Sequence, residues 1–333
     1  MLEIGSMSAA PDGDYMRVIP SSPTMEDTVS FFRENGFWVV PDAVSGDWLK
    51  DVQSAFTKAQ IPARKLWQEA REARKKYSNS VDEPFNLGES RLGEEMTGHH
   101  ADAYFDVPRF IEQDDCLLKL LDNPKVLPIL EAVMGGKIQV NQIQARTLPA
   151  DSNAHYTYWH RDTDPNPVHP DFTSTIKTFT FFNDVPVNGG CAAVVPGSHR
   201  VQYECNPFWE NKPELDQEKI GMDGKPCETT GLSPSFIKFP CKAGTTVIYN
   251  NRIFHNALPN TSGHDRCCLI TSYQPFGQLQ SGQVIANAER LLATGRLGED
   301  RPMLRQLLGW RLGLIDGYDQ PEYHLAHPSP DNR

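Results

Sequence analysis

The chain has 333 residues, with 43 acidic against 32 basic side chains for a net charge of −11, and is 39% hydrophobic and 23% charged. This is the composition of an ordinary globular protein long enough to bury a real core. The negative balance disfavours nucleic acid and anionic membrane as partners, and no apolar run approaches the ~20 residues that cross a bilayer.

Residues 1–22 hold few apolar side chains and are expected to form a mobile arm. No apolar signal core stands among them, and Asp331, Asn332 and Arg333 are not a Ser-Lys-Leu ending, so a cytoplasmic address is expected. Seven cysteines without Cys-x-x-Cys spacing argue against a zinc ribbon or disulfide framework and for reduced thiols. Residues 23–333 read as a single domain.

Thr24 to Asp27 fits a capping box, Met25, Val29 and Phe32 follow at helical spacing, and Asn35-Gly36 supplies the stop. Phe37 to Val40 reads as a strand, and Ser45 opens a second helix with Trp48, Leu49, Val52 and Phe56 on one side. The basic run Arg64 to Lys76 interleaves glutamates and reads as a solvated helix face. Residues 77–105 are polar and irregular. Helical spacing returns at Cys116–Leu121 and at Val126–Met134, closed by Gly135-Gly136.

From Lys137 the period changes to two. Ile138, Val140, Gln142, Gln144 and Arg146 alternate with their neighbours, and Thr175–Phe182, Cys191–Val195 and Thr245–Tyr249 are further strand-like runs. Turn signals such as Asn188-Gly189-Gly190 and Pro196-Gly197 separate them, which predicts an antiparallel sandwich or barrel over about 137–277. Helical spacing resumes over about 279–315 through Leu291, Leu304 and Leu308, and Trp310 with nearby leucines is expected either to cover the barrel or to form a homodimer contact.

Chemistry concentrates in Tyr156-Thr-Tyr-Trp-His160-Arg-Asp162. A histidine and a carboxylate at i and i+2 of an extended chain point the same way and can share one cation, although this spacing alone is a weak signal. A second imidazole, His255, follows the strand-like run ending at Tyr249, and Arg266 heads the next strand across the loop Pro259–Gly263. Two histidines and one carboxylate leave three positions open on a metal, the facial arrangement of non-haem Fe(II) oxygenases. Arg266 would offer a planar fork to a carboxylate.

With His160-x-Asp162, Asn188-Gly-Gly-Cys-Ala-Ala-Val-Val-Pro-Gly-Ser-His199 and Gly244…Phe254-His255-Asn256…Pro259-Asn260…Arg266 in this order, the sequence resembles the phytanoyl-CoA dioxygenase family of Fe(II)/2-oxoglutarate oxygenases over roughly residues 30–275. The resemblance implies a double-stranded β-helix (jelly-roll, cupin-like) core flanked by N-terminal and C-terminal helices. It implies iron on His160, Asp162 and His255, the 2-oxoglutarate C5 carboxylate on Arg266, and use of O2 with release of succinate and CO2. Related halogenases have a small residue in place of the aspartate, so Asp162 favours hydroxylation or another oxidation.

Gln142 lies where related enzymes have a glutamine near 2-oxoglutarate, and Lys177 and Thr178 are candidates for co-substrate contact on the strand after the motif. Ser198 and His199 are expected to order a turn, while His155, Tyr158 and Trp159 are expected to pack at the barrel mouth. His99, His100, His264, His324 and His327 read as surface groups. The proline-rich run 163–171 is expected to act as a lid. A small-molecule substrate follows from the resemblance, which does not select one. A cupin-type metal enzyme that does not use 2-oxoglutarate, and a non-catalytic binding module, stand as the other readings.

Overall fold

A computed structural model of the protein describes residues 15, 19, 23–77, 104–150, 160–162, 175–200, 236–309 and 312–313. Helix α1 (Met25–Asn35) begins with a reciprocal cap. Thr24 Oγ1 accepts from the Asp27 amide at 3.1 Å, and the Asp27 carboxylate accepts from the Thr24 amide at 2.9 Å. The helix stops at Gly36, whose φ of 81° is left-handed. A Cβ there would meet the His199 ring at 2.4 Å, so glycine serves both the turn and the close approach.

Strand β1 (Phe37–Val40) leads into α2 (Gly46–Tyr77). The run beginning at Arg64 is continuous with the helix that starts after Ser45. Its face is not wholly solvated as expected, because Trp67 is buried and Arg64 pairs with Asp265. Hydrophobic contact along α2 outweighs the charge pattern. Strand β2 (Phe105–Val107), α3 (Asp115–Leu118) and α4 (Leu127–Met134) follow, and α4 ends at Gly135 with φ 76°.

The remaining strands are β3 (Ile138–Leu148), β4 (Ile176–Phe181), β5 (Ala192–Val194), β6 (Ile237–Phe239), β7 (Thr246–Asn250), β8 (His255–Ala257) and β9 (Arg266–Pro275). They form an antiparallel six-stranded sheet, β1-β7-β4-β9-β3-β2, and a three-stranded sheet, β6-β5-β8, which His160 extends by an antiparallel bridge to His255. From β3 onward the chain passes between the sheets. β3, β4, β7 and β9 lie in the large sheet; His160, β5, β6 and β8 lie in the small one. This winding is the jelly roll, or double-stranded β-helix.

Strand alternation divides the large sheet into two faces. Val140, Ile143, Ile176, Ile248 and Tyr273 join Phe56, Leu130, Leu291 and Leu307 of the helical layer in one core. Phe179, Phe181, Val247, Cys268 and Ile270 face the small sheet and meet Val194, Phe239 and Ile253 in a second core. Tyr15, from the segment expected to be an arm, is buried against Phe239 at 5.7 Å between ring centroids.

The C-terminal helices α5 (Gly282–Ala293) and α6 (Pro302–Leu308) cover the outer face of β3. Gln280 Nε2 donates to Val140 O at 2.8 Å and Leu307 O at 3.0 Å, and Arg290 grips Glu112 through two nitrogens. Burial of Leu291, Leu304, Leu307 and Leu308, each contributing about 2 kcal/mol, is what holds this layer. Trp310 and the 163–171 run lie outside the described residues, as do His99, His100, His155, Tyr158, Trp159, His324 and His327.

Candidate metal centre

His160 and His255 sit directly opposite one another. Each donates its amide to the other's carbonyl, at 3.1 and 3.0 Å, so both side chains leave the sheet on one face. Their rings lie 4.3 Å apart between centroids. Two residues on, Asp162 returns to the same side, and its amide donates to Asn251 O at 3.0 Å. The carboxylate then lies 3.3 Å from His255 Nε2 and 3.9 Å from His160 Nε2. One ligand atom from each of the three residues falls within 4.8 Å of the others.

His255 is held by its other nitrogen, which is 3.0 Å from Ile253 O. As Nδ1–H donating to that carbonyl, the ring presents Nε2 as a lone pair to the centre, the arrangement that orients a metal-binding histidine. Burial pushes the His255 pKa down to about 3, so the imidazole is neutral. Burial alone would raise the Asp162 pKa, but the adjacent His255 and the Lys177 ammonium outweigh it and hold the carboxyl below its ordinary value.

The large sheet supplies the facing wall. In register across it stand Gln142, Ser272, Lys177 and Tyr249, with Ile270, Phe179 and Val247 in the next row. Gln142 thus lies on the inner face, in the same row as Lys177. Lys177 Nζ reaches Asp162 Oδ2 at 2.7 Å. Thr178, expected to touch the co-substrate, faces away from the barrel interior. Its side chain takes the opposite face of β4, where Oγ1 donates to Thr271 O at 3.4 Å, because adjacent strand residues cannot both face the barrel. The parity set by Phe179 and Phe181 would have selected Lys177.

Arg266 opens β9 inside the barrel and is 2% exposed. Its Nη1 donates to Gly190 O at 3.0 Å, whereas its Nε has no hydrogen-bond partner. Among the described residues no carboxylate pairs with it. Gly190 takes φ 73°, and a Cβ there would lie 2.5 Å from Leu148 Cδ2, which accounts for the Asn188-Gly-Gly turn beneath the arginine. Asn260 fixes the loop before β9, donating to His264 O at 2.7 Å and Leu148 O at 3.3 Å.

Sequence reasoning did not single out Tyr249. It is 2% exposed, its ring lies 4.8 Å from that of His255, and its phenol oxygen has no hydrogen-bond partner. Burial, then the nearby Asp162, raises its pKa well above the ordinary phenol value, so it remains a donor. The visible signal was a polar tip two residues from Val247 on the inner face of β7. Ser198 and His199 order a turn as expected: Ser198 Oγ donates to Val195 O at 2.7 Å and accepts from the Phe254 amide at 2.9 Å, while His199 Nε2 is 3.0 Å from Arg33 O. His264 is exposed.

Residues 32–268 match the model of the family described as phytanoyl-CoA dioxygenase (PhyH). An L-proline trans-4-hydroxylase from Streptomyces griseoviridis is 24% identical over 178 residues, which cover 48% of this chain and 63% of that protein. The match therefore spans less than two thirds of that relative's length. Among solved structures, the epimerase SnoN in complex with Fe3+, alpha ketoglutarate and nogalamycin RO is similar at 17% identity and a TM-score of 0.47, covering 79% of this chain and 88% of that one. HygX from Streptomyces hygroscopicus with nickel, 2-oxoglutarate and hygromycin B bound is similar at 12% identity and a TM-score of 0.48, covering 76% and 88%.

Proposed function

The chain belongs to the phytanoyl-CoA dioxygenase family, and from that premise we propose that it is an Fe(II)/2-oxoglutarate-dependent dioxygenase that oxidises an unactivated C–H of a small molecule, with release of succinate and CO2. The observation that carries this reading is the pairing, inside one barrel, of a His-Asp-His cluster with a buried arginine that has no carboxylate of its own among the described residues. A guanidinium out of water is costly unless something anionic meets it. A cupin-type enzyme that does not use 2-oxoglutarate has no need of such a group.

The donor set fits Fe(II). His160 and His255 offer imidazole nitrogens, Asp162 offers a carboxylate oxygen, and the set leaves room for further ligands. Bound Fe(II) supplies the redox chemistry that couples decarboxylation of 2-oxoglutarate by O2 to substrate oxidation. Asp162 offsets part of the metal's charge, and Lys177 holds its Oδ2. Arg266 orients the distal carboxylate of the co-substrate, and Gln142 lines the wall beside it. Phe179, Val247 and Ile253 exclude water from the interior.

Free L-proline is the first substrate to assay, given the hydroxylase among the relatives. The five described cysteines are all free thiols, which suits a cytoplasmic protein. No helix among the described residues is long and apolar enough to cross a membrane. The test is an anaerobic titration of the Fe(II)-loaded protein with 2-oxoglutarate, following the visible metal-to-ligand charge-transfer band. A saturable band, absent in His160→Ala and weakened in Arg266→Ala, supports the reading. Bound iron with no band refutes it.

A further inference from the structure

The buried polar atoms with no hydrogen-bond partner among the described residues include two on the inner face of the large sheet, the phenol oxygen of Tyr249 and Nε of Arg266. Each is a donor, and a donor kept from both water and any acceptor lowers the stability of the protein that contains it. Such groups persist where a ligand completes them.

Both face the barrel interior, Tyr249 from β7 and Arg266 from β9. Tyr249 stands in register with Lys177, which reaches Asp162, and its ring stacks at a tilt on both His255 and Phe179, 4.8 and 5.4 Å between centroids. The charges of Asp162, Arg146 and Arg266 all act on its phenol. The phenol is thus within electrostatic reach of both the metal cluster and the arginine.

A carboxylate offers about four lone-pair sites, enough for a guanidinium and a phenol together. A keto oxygen committed to a metal offers far less.

We propose that Tyr249 is a co-substrate-binding residue whose phenol donates, beside Arg266, to the distal carboxylate of 2-oxoglutarate. This rests on the Fe(II)/2-oxoglutarate reading above and adds to it a second donor at the far end of the co-substrate. The phenol makes the pocket selective for a 2-oxo acid with two carboxylates, because an acid lacking the distal one leaves both donors buried and unmet.

Tyr249→Phe tests this, because it removes one oxygen and keeps the ring packed on His255. Anaerobic Fe(II)-loaded wild type and variant are titrated with 2-oxoglutarate and with 2-oxopentanoate, which lacks the distal carboxylate, and the charge-transfer band is followed. Loss of one hydrogen bond to a charged group predicts 2-oxoglutarate binding about tenfold to a hundredfold weaker in the variant, with 2-oxopentanoate binding unchanged.

The metal-free variant should melt no lower than wild type, because its unmet hydroxyl is gone, and 2-oxoglutarate should raise its midpoint less. Equal 2-oxoglutarate affinity, or equal weakening for both acids, overturns the assignment of Tyr249. So does a lower metal-free midpoint with the 2-oxoglutarate response intact, since that is a packing role. A wild-type protein that takes up iron but gives no band overturns the function reading itself, and this inference with it.

Discussion

Gly244→Ala should be among the most damaging single-methyl changes in this chain. Gly244 has φ 85°, and a Cβ built there lies 1.9 Å from Val44 O and 3.1 Å from Val44 C. Backbone atoms cannot rotate away as a side chain would. The junction is tied on both sides, with Val44 N donating to Gly244 O at 2.9 Å and Gly244 N donating to Phe181 O at 2.7 Å. Left-handed backbone costs an L residue about 1–2 kcal/mol, and displacing the two backbone hydrogen bonds adds about 1 kcal/mol each. The expected loss is about 3–4 kcal/mol, out of a typical total of about 5–15 kcal/mol. Gly263→Ala is the control, because Gly263 has φ 77° with nothing within 4 Å of the added Cβ, so it bears only the conformational cost. Urea unfolding of the metal-free proteins, followed by circular dichroism, measures both. If the two variants lose the same stability to within about 0.5 kcal/mol, the contact with Val44 relaxes freely and the reasoning fails.

Arg266→Lys keeps the charge but loses the fork, so 2-oxoglutarate should bind about tenfold or more weakly with iron affinity retained; a chelator competition together with the band titration reads both, and an unchanged 2-oxoglutarate requirement removes Arg266 from the site. Lys177→Met leaves the part-buried Asp162 without the ammonium at 2.7 Å, so the metal-free protein should melt lower and saturating Fe(II) should restore most of the loss; an equal deficit with and without metal would mean a packing defect. His255 has its pKa lowered from 6.5 to about 3 by burial, so the unfolded chain takes up its proton first and this group erodes stability as pH falls from 6.5 toward 3, with no effect above that window. Urea midpoints of metal-free wild type and His255→Asn at pH 7 and pH 5 check the sign, the variant being expected to show the smaller acid loss.

The sequence made the ligand set readable because its signal is local. His160 and Asp162 are two residues apart on an extended chain, and β-structure turns that spacing into a shared direction. Placing His255 opposite His160 needed the β8 register, which no local pattern states. Thr178 was placed on the wrong face for a related reason: Thr178 to Phe181 alternates polar with apolar, but β4 is buried on both faces, so the alternation does not say which parity looks into the barrel. Phe179 and Phe181 in the inner core decide it. The length of α2 was hidden by its own charges, since Arg64 meets Asp265 across 201 residues of sequence, a contact that no local pattern reveals.

The unmet donors also bear on how stability and binding are divided. An interior built for packing alone would close over Phe179, Val247 and Ile270 without a guanidinium or a phenol. This one holds both, and the unpaired groups lower the stability of the metal-free, ligand-free fold. What they withhold from folding becomes available to whatever binds. A ligand that binds only the folded state raises stability by RT ln(1 + [L]/Kd), about 2.7 kcal/mol at a hundredfold excess over Kd. The melting midpoint should therefore respond strongly to 2-oxoglutarate with metal present and weakly to a monocarboxylate 2-oxo acid, because under the proposed binding mode only the former would meet Arg266 at one end and the His-Asp-His cluster at the other.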